Sequence, residues 1–237
     1  MKKEKYTCEE LDRIVQILRS EEGCPWDRAQ TFQSLRTCMI EEAYEYLAAV
    51  RIYEQTGNAE NLREELGDLL LQIVMNSRIA KELGMFDLSE VAEESSNKMI
   101  RRHPHIFSGD GGAHDDGTQS SWDEIKRLEK EGKSWIESPL REIPMEHPAL
   151  IRAPKVLKKL DKLYEACPGE EETIAHLQES VGGLQGKMLS QEQKRNQIGN
   201  LLIDICNLGR LWGIQPEEIL QDRIEELIDK AEAQKAK

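Results

Sequence analysis

Apolar residues recur at helical spacing along most of the chain. They fall at every third or fourth position from residue 32 to 55, and again from residue 59 to 84. Thr7 with Glu10 predicts a capping box that opens an earlier helix, and Asp87 predicts the cap of a later one. Runs of β-branched residues are scarce, and aromatic residues make up 5% of the chain. The pattern predicts an all-α protein in which the two long segments form a helical hairpin.

Three stretches interrupt the helical pattern. EEGCPWD at 21–27 breaks it first and predicts a loop that carries Cys24, Pro25 and Trp26. Residues 108–121 (SGDGGAHDDGTQSS) are poor in apolar residues, which predicts a loop able to close over a substrate. A short helix is expected over residues 122–131. Residues 138–148 (SPLREIPMEHP) contain three prolines and predict a linker. We therefore expect a first domain over residues 1–137 and a second domain of four helices over residues 149–237.

The second domain repeats the first in degenerate form. LREELGDLLLQIVMNSRIAKELG at 62–84 aligns with KRNQIGNLLIDICNLGRLWG at 194–213, with matches that include Gly67 to Gly199 and Arg78 to Arg210. The acids of the first copy are replaced: Glu64, Glu65 and Asp68 correspond to Asn196, Gln197 and Asn200, and Glu41, Glu42 and Glu45 correspond less clearly to Gln178, Glu179 and Gly182. Amides keep size and hydrogen bonding without the negative charge that attracts a hard cation. We therefore expect the metal-binding and catalytic residues in the first copy.

Two pairs of acids lie three positions apart on the long helices, Glu42 with Glu45 and Glu65 with Asp68. Each pair projects from one side of its helix, so a hairpin would bring four carboxylates together. Oxygen ligands of this kind favour magnesium or manganese over zinc. The alternative is a solvated acidic helix face, which the selective loss of acids in the second copy disfavours. A di-iron site would need Glu-x-x-His on two helices, and no histidine lies near these acids in the sequence.

The composition of the chain argues against several further classes of protein. The net charge of −13 disfavours binding to a nucleic acid polymer. The five cysteines are scattered and form no CxxC pair, which argues against a disulfide framework and a thiolate zinc site. No apolar run approaches the roughly 20 residues that a membrane span needs, and the first residues lack an apolar export segment. We expect a cytoplasmic protein.

The first domain resembles the MazG family of nucleoside triphosphate pyrophosphohydrolases, within the all-α NTP pyrophosphatase group. EExxE followed by ExxD carries the resemblance, together with four flanking segments in the family's order: CPWDRAQTFQSL at 24–35, EELGDLLLQIV at 64–74, NKMIRRHPHIF at 97–107 and WDEIKRLEK at 122–130. The resemblance implies magnesium-dependent hydrolysis of nucleoside triphosphates at the α-phosphorus, which gives a nucleoside monophosphate and pyrophosphate. It also implies a role in clearing the nucleotide pool.

The resemblance assigns roles to individual residues. The implied magnesium ligands are Glu42, Glu45, Glu65 and Asp68. We expect Glu41 or Glu64 to serve as the base or to hold a second ion. The expected substrate contacts are Lys98, Arg101 and Arg102 to phosphate, Trp122 by stacking on the base, and Lys126 to phosphate. For these five a structural role stays open, because cations complement a helix C-terminus and a tryptophan can anchor packing.

Partners follow from the same reasoning. Nucleoside triphosphates are the expected ligands, and neither a membrane nor a nucleic acid polymer is expected. A hairpin of this size cannot bury both of its faces, so the second repeat or a second subunit of a homodimer is expected to cover the first. The alternative from another class is a non-catalytic helical module that binds nucleotides, dimerises or regulates, and that has kept its acids without turnover.

Overall fold

The computed structural model describes residues 5–107, 125, 128–129, 136–184 and 189–235. The chain forms two compact units, Met1–Lys130 and Glu131–Lys237. Every regular element among the described residues is an α-helix, which confirms the predicted all-α class. None of these helices combines the length and the apolar character that crossing a membrane requires.

In the first unit the described helices are α1 Cys8–Leu18, α2 Pro25–Ala29, α3 Leu35–Thr56, α4 Glu60–Glu82, α5 Leu88–Arg102 and α6 Pro104–Phe107. The predicted capping box opens α1, because the Glu10 amide donates to Thr7 Oγ1 at 3.3 Å and the Thr7 amide donates to Glu10 Oε2 at 3.1 Å. Asp87 caps α5 in the same way. The long helices α3 and α4 pack as the expected hairpin. Gly57 ends α3 with a φ of 72°, a value that glycine adopts without strain.

The segment between α1 and α3 differs from the expected plain loop, since it contains the short helix α2. Pro25 stands at the first position of α2, where its missing N–H costs nothing. Arg19 is buried beneath this segment and donates through Nη1 to the carbonyl oxygens of Asp27 at 2.6 Å and Gln30 at 3.2 Å. Its Nε and Nη2 bind the Glu82 carboxylate on α4. One buried guanidinium therefore ties α2 to the end of the hairpin.

The core of the first unit lies between α1, α3 and α4. Its buried members are Val15, Leu35, Val74, Met75 and Ile79. Arg78 on α4 adds an ion pair with Asp12 on α1, with Nη2 2.5 Å from Oδ2. Other apolar residues of the long helices stay largely exposed: Leu47 at 58%, Leu66 at 50% and Ile73 at 41%. The hairpin therefore carries more apolar surface than its own unit covers.

In the second unit the described helices are α7 Ala149–Tyr164, α8 Glu170–Leu184, α9 Gln191–Trp212 and α10 Pro216–Lys235. These are the four helices that the sequence predicts. Helix α9 packs against α8 and α7, just as α4 packs against α3 and α1. Residues 136–148, which include the expected linker, form turns. Glu142 in these turns forms an ion pair with Lys159 on α7, and Ile143 beside it is buried.

Candidate metal centre

Three of the predicted ligands meet on the α3–α4 hairpin. Glu42 and Glu45 project from α3 and Glu65 from α4, and one carboxylate oxygen of each lies within 4.8 Å of the other two. Asp68 follows Glu65 by one helical turn. It is not part of this three-residue group, although its charge acts on Glu42. The structure thus brings three of the four acids together and places the fourth beside them, while their role as metal ligands stays a prediction.

Burial and the neighbouring negative charges both raise the pKa of Glu42. Partial burial raises the pKa of its carboxyl above the usual value, and the charges of Asp68, Glu45 and Glu65 raise it further, in that order. The side-chain amide of Gln72 acts in the opposite direction and lowers the pKa of Glu42 in part. Carboxylates held this close repel one another, and a bound divalent cation would offset that repulsion.

The donor set fits such a cation. Glu65 Oε1 accepts a hydrogen bond from Asn61 Nδ2 at 2.7 Å, whereas its Oε2 is buried and has no hydrogen-bond donor in the part of the chain that the structure describes. A buried carboxylate oxygen without a partner is costly. A hard cation with oxygen ligands would satisfy Oε2 and neutralise the group at once. The carboxylates of this hairpin could therefore hold a divalent metal ion.

The two candidate bases lie at the edge of this arrangement. Glu41 and Glu64 are exposed, and neither belongs to the three-residue group. Each is the chain neighbour of a clustered acid, and successive residues on a helix point about 100° apart. Their side chains therefore leave the hairpin on a different side from Glu42 and Glu65, and a role for either residue as the base stays a prediction.

Comparison with known proteins decides the family. Residues 30–107 match the family model described as the MazG nucleotide pyrophosphohydrolase domain. A Thermotoga maritima protein named nucleoside triphosphate pyrophosphohydrolase/pyrophosphatase MazG is 34% identical over 232 residues, which span 94% of this chain and 87% of that protein. An Escherichia coli protein named nucleoside triphosphate pyrophosphohydrolase is 32% identical over 230 residues, spanning 90% and 82%. The chain belongs to the MazG family. The residues matched to the MazG model include α3, α4 and α5, and hence all four predicted ligands.

The predicted phosphate contacts of this MazG domain lie at the end of α5. Arg101 donates to Glu129 Oε1 through Nε at 3.0 Å and Nη2 at 2.8 Å, and Arg102 donates to Glu129 Oε2 through Nη2 at 2.5 Å. Glu129 is 9% exposed in its side chain, and the hydrogen bond from Arg102, with a smaller one from Arg101, lowers its pKa to about 2. The two arginines therefore form a fork that holds the Glu129 carboxylate, while their contact with phosphate stays a prediction.

The remaining substrate contacts are less defined. Lys98 points along its own helix, with Nζ 3.9 Å from Glu94 Oε1. Trp122, Lys126 and the loop at 108–121 lie outside the described residues, so their roles remain expectations from the MazG pattern. Sequence reasoning missed Glu129, because an acid in a charged segment gives no sign of a partner 28 positions earlier.

Gln72 is a second residue that sequence reasoning missed. It follows Asp68 by four positions and Glu65 by seven on α4, so it lies on the acidic face of the helix. It is 8% exposed, and its Oε1 is buried without a donor among the described residues. The spacing was visible in the sequence, but a single amide in a leucine-rich stretch carries no charge signal to single it out.

Proposed function

We propose that the first unit hydrolyses nucleoside triphosphates at the α-phosphorus and releases a nucleoside monophosphate and pyrophosphate. The observation that carries this proposal is the meeting of Glu42, Glu45 and Glu65 within 4.8 Å, with one buried oxygen left for a cation. The names of the relatives from Thermotoga maritima and Escherichia coli support the same reaction.

The proposed cofactor is magnesium, with manganese as a substitute. Glu42, Glu45, Glu65 and Asp68 would hold it, and the ion would supply charge neutralisation on the phosphate oxygens and activation of water. The chain's own residues orient these carboxylates by their helical spacing. Glu41 or Glu64, exposed beside the cluster, would take the proton from the attacking water or hold a second ion.

Substrate binding is proposed for the cationic end of α5. Arg101 and Arg102 already hold a carboxylate in forked geometry, and the same donors suit phosphate oxygens. Lys98 would add a charge on the same helix. Trp122 would stack on the base and Lys126 would contact phosphate, as the family pattern implies.

The two units have different proposed roles. Residues 1–137 would form the catalytic domain and residues 149–237 an inactive copy, joined by the linker at 138–148. In the second unit Gln197 stands where the first has Glu65, and its Nε2 donates to the carbonyl oxygen of Ser180 on α8 at 2.9 Å. An amide satisfied in this way has no use for a cation, which supports a single active site in the chain.

We also propose a cytoplasmic homodimer that clears unwanted triphosphates from the nucleotide pool. The exposed apolar residues Leu47, Leu66 and Ile73 on α3 and α4 support a second subunit that covers this face. The net charge of −13 supports a small anionic ligand, bound through a cation, over a nucleic acid polymer.

The test is pyrophosphate release from a panel of standard and modified nucleoside triphosphates, with magnesium or manganese. Glu42→Gln is expected to lower the rate by at least about 1,000-fold, because a ligand charge is lost where the reaction depends on it. Glu179→Gln, at the matched position of the second unit, is the control and is expected to keep the full rate. Absence of turnover on every triphosphate would contradict the proposal and favour the non-catalytic binding module.

A further inference from the structure

The carboxylate of Glu129 is shared between two arginines at the end of α5. Its Oε1 accepts from Arg101 Nε at 3.0 Å and Nη2 at 2.8 Å, and its Oε2 accepts from Arg102 Nε at 3.1 Å and Nη2 at 2.5 Å. Glu129 itself lies on a helical turn, because its amide donates to the carbonyl oxygen of Ile125 at 3.0 Å. A carboxylate on an ordered turn thus binds two neighbouring guanidinium groups.

The two arginines differ in exposure, and the difference separates their roles. The side chain of Arg102 is 16% exposed and that of Glu129 is 9% exposed, so one largely buried pair already neutralises the carboxylate. The side chain of Arg101 is 50% exposed, and an ion pair at that exposure adds little stability. Its two hydrogen bonds to Glu129 nevertheless fix the direction of the guanidinium. The contact between Arg101 and Glu129 therefore acts on orientation more than on the free energy of folding.

Helix geometry shows why a shared partner matters. Successive residues on a helix point about 100° apart, so the guanidinium groups of Arg101 and Arg102 would diverge without one. Glu129 brings both to a single carboxylate. A guanidinium offers an anion two edges, and Glu129 binds the edge of Arg101 that carries Nε. The opposite edge of Arg101, formed by Nη1 and Nη2, is then held in one direction.

We infer that Glu129 is a positioning residue of the phosphate site: anchored by Arg102, it orients Arg101 so that the guanidinium edge opposite Glu129 receives a phosphate oxygen of the nucleotide. The inference rests on the proposed function for the nature of the ligand, and it deepens that function by naming a residue that places a phosphate contact without touching phosphate. Preorganised donors bind an anion more tightly than mobile ones, because less freedom is lost on binding.

The experiment measures the binding of inorganic triphosphate, which carries the phosphate chain without a base. Glu129→Gln keeps the shape of the side chain and removes its charge. Isothermal titration in excess Mg²⁺ is expected to show binding about 10-fold weaker than in the parent protein. Removal of a negative charge by itself would strengthen the binding of an anion, so a loss of affinity points to lost orientation. Glu129→Asp keeps the charge and is expected to retain most of the affinity.

Two other roles for Glu129 give different results. A merely structural role would lower the melting temperature of Glu129→Gln and leave its affinity for inorganic triphosphate unchanged. Competition between Glu129 and phosphate for the same donors would raise the affinity. Either result would overturn the inference. The matched control is Asp161→Asn, which breaks the ion pair with Arg210 in the second unit and should leave the affinity unchanged.

A double-variant cycle tests whether Glu129 acts through Arg101. Arg101→Ala removes the inferred phosphate contact and should weaken the binding of inorganic triphosphate by about 10-fold. Adding Glu129→Gln to this variant should cause no further loss, because the group that Glu129 orients is gone. Independent effects would multiply to about 100-fold, and that outcome would contradict the inference.

The titration also separates this inference from the proposed function. If the parent protein binds inorganic triphosphate and Glu129→Gln does so more weakly, the positioning role holds even when no nucleoside triphosphate is turned over. In that case only the hydrolase proposal fails. If the parent protein releases pyrophosphate from nucleoside triphosphates but Glu129→Gln binds inorganic triphosphate as the parent does, the positioning role alone fails. If the parent protein binds no inorganic triphosphate, the positioning role fails as well.

Discussion

The two units share an ion pair between corresponding helices and differ in the residues at the acidic positions of the neighbouring helical hairpin. In the first, Arg78 on α4 binds Asp12 on α1; in the second, Arg210 on α9 binds Asp161 on α7. Arg78 and Arg210 are also matched in the sequence alignment. The same ion pair at corresponding places supports a duplication, and it makes the second unit an internal reference for the first.

The difference lies at the positions of the acids. Glu65 in the first unit has a buried oxygen without a donor among the described residues, whereas the Gln197 amide in the second donates to the backbone of α8. Gly183 makes room for this amide, since a Cβ at that glycine would lie 2.5 Å from Gln197 Nε2. A hairpin of this kind can thus satisfy its own polar groups. The unsatisfied oxygen of the first unit is therefore a feature of its site and not a requirement of the fold.

The largest expected effect comes from giving the first unit the residues of the second. Glu65→Gln combined with Asp68→Asn removes two charges from the cluster and should lower pyrophosphate release by at least about 1,000-fold, roughly 4 kcal/mol of transition-state stabilisation. Helix content by circular dichroism should not change. The reverse exchange, Gln197→Glu with Asn200→Asp, should create no activity, because Gly182 offers no carboxylate opposite. A double variant that keeps a tenth of the parent rate would mean that these acids are only a solvated face.

Local patterns account for what could be predicted. The helices follow from apolar periodicity, and their starts follow from short-range signals such as Thr7 with Glu10. The meeting of Glu42 with Glu65 was predictable because a tight turn joins their helices and leaves one way to pair them. These inferences need only residues that are close in sequence or joined by a short connection.

Long-range contacts account for what was missed. The burial of Arg19 against Glu82 spans 63 positions, and that of Glu129 against Arg102 spans 27. A charged residue in a charge-rich sequence gives no sign of which distant partner it will find. The helix α2 was missed for another reason: a proline within a loop-like segment was interpreted as a break, although proline also suits the first turn of a helix.

A smaller effect is expected from the ion pairs that the two units share. Asp12→Ala leaves Arg78, 8% exposed in its side chain, without its bidentate partner, and should cost about 2–3 kcal/mol of unfolding free energy. Asp161→Ala should cost only about 1 kcal/mol, because Asp161 is 40% exposed and Arg210 keeps a bond to Asn207 Oδ1 at 2.9 Å. Urea denaturation measures the losses, and hydrogen exchange on α4 and α9 assigns them to a unit. Equal losses would show that the two pairs are energetically equivalent.

The smallest effect concerns the charge on Glu42 in the metal-free protein. Its folded pKa lies above the value of the unfolded chain, so the folded state binds the proton more tightly. This contribution favours folding at low pH and is lost as pH rises above about 4.5 and through the raised folded pKa. At pH 7 in a chelator, Glu42→Gln should therefore stabilise the fold slightly, because solvent screens the repulsion around a partly exposed group. Glu179→Gln should change nothing at either pH, because Glu179 belongs to no acidic cluster in the part of the chain that the structure describes. Saturating Mg²⁺ should reverse the order of stability by favouring the parent protein. Thermal melts at pH 4 and pH 7 measure the stability of both variants. An equal rise in melting temperature for Glu42→Gln and Glu179→Gln would mean that the repulsion comes from the net charge of the whole chain and not from the cluster.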